Sequence, residues 1–137
     1  MKKSFFITVI LIIATQISFA QKDYKVVFDL TSGDSLSQQT ALRWMTEVMK
    51  AEPTAQVELV MFGKGLPLAI NGKSAVADGI AQLVGNKNVN IYVCSVAMAN
   101  QHVDKSQLLP GVQTVPDGIY EIISKQRQGW GYIKVAH

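Results

Sequence analysis

The chain has 137 residues, of which 48% are hydrophobic and 17% charged, with a formal net charge of +3. That length suits one ordinary domain around a single core and excludes a multidomain machine. The positive balance is small, so it makes no case for nucleic acid or an anionic membrane as a partner.

The first twenty residues have the layout of a secretory signal peptide. Lys2 and Lys3 precede a continuous apolar run from Phe5 to Ile13, and Ser18 and Ala20 place small residues where a signal peptidase reads them. Cleavage is expected after Ala20, leaving residues 21–137 as one α/β domain in the periplasm or outside the cell. The apolar run is short for a span of roughly 20 residues. Gln21 rather than cysteine follows the cut, so neither a membrane anchor nor a lipid anchor is expected. Removing Lys2 and Lys3 lowers the net charge from +3 to +1.

Beyond the leader, strands and helices alternate. Lys25–Leu30 is a mostly apolar run, as expected of a strand buried on both faces. Thr31–Ser35 is a turn, and a helix follows from Leu36 to Ala51, with Ala41, Leu42, Met45, Val48 and Met49 at three- and four-residue spacing. Ser35 and Gln38 suggest a capping box, and Pro53 ends the helix. Gln56–Phe62 is the second strand, followed by a loop from Gly63 to Pro67. A weaker helix over 74–84 places Val76, Ile80 and Leu83 on one face, with Gly85 as its C-cap. The third strand ends at Cys94 and runs into a short helix. Val112–Val115 is a fourth strand. Pro116 fits the first position of a helix to about Gln128, with Ile119, Ile122 and Ile123 as its core-facing stripe. Tyr132–Val135 is a fifth, edge strand. Five alternations with short links call for a three-layer α/β/α domain with a mostly parallel five-stranded sheet.

Cys94 is the only cysteine, so no internal disulfide can form. A lone thiol in an oxidising compartment is reactive, paired with a partner molecule, or buried. In a parallel sheet the carboxyl ends of the strands share the edge where ligands bind. That edge would gather Asp29, Asp34, Gly63, Lys64, Gly65, Cys94 and Ser95. Lys64 and the start of the following helix would favour the thiolate of Cys94, while a core role for the cysteine stays open. His102 lies too far along the chain to pair with it. No metal-ligand spacing occurs, and nothing calls for a cofactor.

Several blocks together resemble the DsrE/DsrF-like family. They are Lys25–Leu30, Val57–Leu66 with its Gly63-Lys64-Gly65, Val89–Cys94, Val115–Ile119, and Gln128–Lys134 with Gly129-Trp130-Gly131. The resemblance implies a five-stranded parallel sheet between helices and assembly into trimers or hexamers. It also implies a link to sulfur metabolism, with Cys94 as the persulfide-bearing position and a sulfur donor or acceptor protein as partner. The export signal and the absence of a second cysteine set the chain apart from cytoplasmic relay members serving tRNA thiolation. Two functions therefore stand: an exported sulfur carrier using Cys94, or a non-catalytic oligomeric module that binds a small ligand or protein with Cys94 buried.

Overall fold

The computed structural model describes residues 23–136; the leader expected over residues 1–20 and the terminal His137 lie outside them. Five strands and four helices alternate: β1 (Lys25–Leu30), α1 (Ser35–Ala51), β2 (Gln56–Met61), α2 (Ala77–Leu83), β3 (Val89–Cys94), α3 (Ser95–Asn100), β4 (Gln113–Val115), α4 (Gly118–Arg127) and β5 (Gly131–Lys134). Every strand pair is parallel and the order is β4-β3-β2-β1-β5. The expected parallel five-stranded α/β fold is therefore the observed one, with β5 at an edge.

The layering follows from crossover handedness. From β1 to β4 the chain steps across the sheet in one direction, which places α1, α2 and α3 on one face. The last crossover returns over the whole sheet to β5, so α4 lies on the opposite face by itself. The core is correspondingly unequal. Val26, Phe28, Leu30, Leu59, Met61, Ile91 and Val93 join Ala41, Met45, Ile80 and Met98 in one large cluster. Among the described residues, the apolar cluster beneath α4 is small: Val27, Val60 and Ile122, with Phe62 and Trp130 against them.

Local chemistry corrects several boundaries. Asp34, not Ser35, caps α1: its carboxylate accepts from the Ser37 N–H and hydroxyl, each at 2.8 Å. Gln38 instead ties α1 to its surroundings, donating to the Gly33 carbonyl and accepting from the Ala75 N–H. Gly63–Ala69 is a 3-10 helix rather than a loop. The second helix begins at Ala77, and its Val76, Ile80 and Leu83 pack inward as expected. Val84, not Gly85, is its C-cap. Asp117, not Pro116, opens α4, accepting from the Ile119 and Tyr120 N–H groups. The expected inward stripe on α4 is wrong at two of three positions. Ile122 is buried, but Ile119 and Ile123 are exposed, as is Tyr120 between them. A helix alone on its face needs only one line of contact.

Candidate functional site

β3 ends at Cys94, and α3 starts at the next residue. Cys94 is the N-cap residue of α3, in extended backbone, yet its side chain makes no capping hydrogen bond. Its parity along β3 matches Asn90 and Tyr92, so its side chain belongs to the α4 face at the carboxyl edge of the sheet. It is 5% exposed. It lines a pocket of about 260 Å³ with Phe62, Gly63, Val96, Gln101, Asp117 and Ile119.

Gly118 makes that packing possible. A Cβ there would stand 3.1 Å from the Cys94 Cβ, 3.1 Å from Val60 Cγ1 and 3.3 Å from Phe62 Cδ1. The first turn of α4 thus rests directly on the cysteine. Gly63 turns the chain at the other wall with a positive φ of 54°, a conformation that glycine adopts without steric cost. The Gln101 side-chain amide donates to the Gly63 carbonyl and pins α3 to this turn.

The residues expected at this edge divide into separate groups. Cys94 and Gly63 line one pocket. Lys64 is exposed and is not among the residues lining that pocket, and Ser95 is half-buried as the first residue of α3. Gly65 packs under the Leu30 carbonyl, while Asp34 is committed to capping α1. Asp29 is held by β5: Tyr132 donates its hydroxyl at 2.7 Å and Lys134 its ammonium at 3.0 Å. Burial, and then the Asp29 carboxylate, push the Tyr132 phenol up to about 12. The Lys134 ammonium also donates to Thr31 at 2.6 Å and sits 5.7 Å from the Phe62 ring centroid. This is the cation beside the pocket wall, and it comes from β5.

Phe62, Gln101, Asp117, Gly118 and Lys134 were not recognised as site residues from the sequence. The unusual Val115-Pro116-Asp117-Gly118 run was the available signal for two of them. His102 is exposed with a φ of 54°, beyond the end of α3. Trp44 packs on the main core and Trp130 on the smaller cluster. A larger groove, about 510 Å³, lies at the amino ends of β1 and β5 between Tyr24, Trp130 and Tyr132. It holds none of the expected site residues and lies away from the carboxyl edge favoured for ligands.

A small parallel α/β domain with a single cysteine closing a central strand, roofed by a glycine-led helix, defines the class. The sequence matches the DsrE/DsrF-like family over residues 25–135, and the chain belongs to that family. The family is related to sulfur-relay proteins. Among solved structures, a protein of unknown function from Methanobacterium thermoautotrophicum is 26% identical, with a TM-score of 0.77 over 82% of this chain and 99% of that one. The ychN protein from E. coli is 14% identical, with a TM-score of 0.68 over 82% of this chain and 98% of that one. A conserved protein of unknown function from Bacteroides thetaiotaomicron is 13% identical, with a TM-score of 0.66 over 86% and 99%. The last two likenesses are of fold. No curated protein matches the sequence significantly.

Proposed function

We propose that this chain is an exported sulfur carrier that holds a persulfide on Cys94. The observation that supports the reading is the pocket of about 260 Å³ at the carboxyl edge, which Cys94 lines although its side chain serves no capping role. In the proposed step the Cys94 thiolate attacks the outer sulfur of a donor persulfide. The donor S–S bond breaks, and the donor leaves as a thiolate that takes the proton given up by Cys94. One sulfur moves and no net oxidation occurs. The burial of Cys94 favours a second reading, in which the same pocket binds a small ligand or partner without covalent chemistry.

Intact-mass analysis after exposure to a low-molecular-weight persulfide separates them. The carrier reading expects a one-sulfur adduct on the wild type and none on Cys94→Ser. An unmodified wild type whose thiol also resists alkylation until unfolding makes Cys94 a core residue and leaves the binding module.

The reading includes a homo-oligomer, a trimer or hexamer. Support comes from exposed Val96 and Ile119 on the pocket lining and exposed Tyr120 and Ile123 farther along α4. Apolar side chains clustered in this way mark association surfaces. Light scattering on the mature protein should give a multiple of the protomer mass, and Ile119→Glu should shift it towards the monomer. A monomeric wild type at micromolar concentration overturns this part.

A further inference from the structure

Beneath α4, at the middle of the central strand β2, lies a carboxylate that neither the fold nor the proposed chemistry requires. The Glu58 side chain is fully buried. Its strand neighbours in register are Val27 on β1 and Asn90 on β3, neither of which carries a charge. All the charge that meets it from above comes from α4. Lys125 Nζ stands 2.7 Å from Glu58 Oε2 and 3.4 Å from Glu121 Oε1, and 4.5 Å from the Trp130 ring centroid. From β3, the Tyr92 phenol is pushed up by burial and then by Glu58. Lys125 is thus the ion-pair partner of Glu58, and among the described residues no backbone or neutral side-chain donor reaches either Glu58 oxygen. Such a buried group is costly when charged and much less so when protonated.

The same helix begins on the cysteine. Gly118 packs on Cys94, and Asp117 and Ile119 line its pocket. Beyond that glycine, the buried apolar anchor of α4 among the described residues is Ile122, against Val27 and Val60. The seating of α4 therefore depends heavily on the Glu58 cluster, and the cover over Cys94 depends on that seating. We propose that Glu58, Glu121 and Lys125 form a proton-operated latch that holds α4 on the sheet and thereby sets access to Cys94. The latch governs access alone and does not rest on sulfur being the cargo.

The direction follows from linkage. Burial raises the Glu58 carboxyl from 4.5 to about 7, opposed by Lys125 and reinforced by Glu121. With α4 lifted, water reaches Glu58 and its affinity for the proton returns towards the ordinary value. The seated state thus binds the proton more tightly. Its extra stability is fully present below about pH 4.5 and is lost as pH rises to about 7. Lys125 is shifted up by its carboxylate partners despite burial, so its own contribution is lost only at alkaline pH, above this window. Acid closes the latch and neutral-to-basic solution loosens it.

Hydrogen exchange on the whole mature protein tests the proposal, with rates corrected for intrinsic pH dependence and α1 as internal reference. Between pH 5.5 and 8, α4 protection should fall on the order of tenfold relative to α1, since each unit of raised pKa carries up to a tenfold change. Glu58→Gln, which cannot titrate, should show α4 protection that is flat with pH. The wild-type-to-variant ratio of Cys94 alkylation should rise over the same window, the thiol's own ionisation cancelling in the ratio. Glu121→Gln, at a partly exposed position, should keep the step but move its midpoint to lower pH, which preserves the test if Glu58→Gln folds poorly. Equal changes in α4 and α1, a step surviving in Glu58→Gln, or an unmoved midpoint in Glu121→Gln would overturn the latch.

Discussion

Replacing Lys125 with methionine should destabilise the domain by about 3 kcal/mol at pH 8 and by about 1 kcal/mol at pH 5.5. The substitution keeps an unbranched apolar stem, one atom shorter, and removes the cation that faces two carboxylates. At pH 8 the Glu58 carboxylate is left buried and uncompensated, with Glu121 opposite it. It relieves this by taking up a proton, which costs more the further the pH lies above the ordinary carboxylate range. At pH 5.5 Glu58 is already protonated in the wild type. The loss there reduces to the Lys125–Glu121 pair and the contact with Trp130. Urea denaturation at the two pH values measures both numbers. The double variant Glu58→Gln with Lys125→Met should recover most of the loss at pH 8, giving a coupling of about 2 kcal/mol. A loss that is the same at both pH values and is not recovered would assign the role of Lys125 to the packing of its stem.

This cluster also marks where the sequence is hard to read. Glu58 lies in Gln56–Met61, within the strand expected over Gln56–Phe62, with Val57, Leu59 and Met61 facing the main core. Nothing in the local pattern says that the opposite face is covered at Glu58 by α4, some sixty residues later. The same gap explains Ile119 and Ile123. Three isoleucines at helical spacing indicate an inward stripe, and they would form one if α4 lay in a groove between neighbouring helices. Alone on its face, α4 buries one residue of the three. Which helix ends up alone depends on strand order, and periodicity does not encode strand order.

At the pocket the division is similar. Alternation up to Cys94 and the change of period after it place the thiol at the carboxyl end of a central strand, where the structure has it. Position on the sheet edge was therefore legible. The side chains around the thiol were not, because they depend on orientation. Lys64 lies one residue from Gly63 and points away into solvent, while Lys134 reaches the edge from β5. Asp29 and Asp34 are carboxylates placed near the expected edge, but Tyr132 with Lys134 and the first turn of α1 claim them.

A Gly65→Ala substitution should cost about 3 kcal/mol, near the upper end for overpacking. Its Cβ would lie 2.2 Å from the Leu30 carbonyl oxygen and 2.9 Å from the carbonyl carbon. Both are backbone atoms, so no side-chain rotation can relieve the clash. The Leu30 oxygen accepts from the Phe62 N–H at 3.3 Å, and the Gly65 N–H donates to the Phe62 carbonyl at 3.0 Å. Separating Gly65 from Leu30 therefore strains both bonds and displaces Phe62 and Gly63, two walls of the Cys94 pocket. Gly85→Ala provides the comparison, since the nearest atom to its Cβ is Gln82 O at 3.8 Å and its φ is not positive. There the change should stay within about 1 kcal/mol and tend to stabilise, by restricting the unfolded chain. Denaturation curves of the two variants, with Cys94 alkylation rates alongside, check the pair. The Gly65 variant should expose Cys94 at denaturant concentrations where the Gly85 variant still protects it. A loss below 1 kcal/mol at Gly65 would mean that the end of β1 and the 63–69 turn can part freely, so that this contact does not fix the pocket wall.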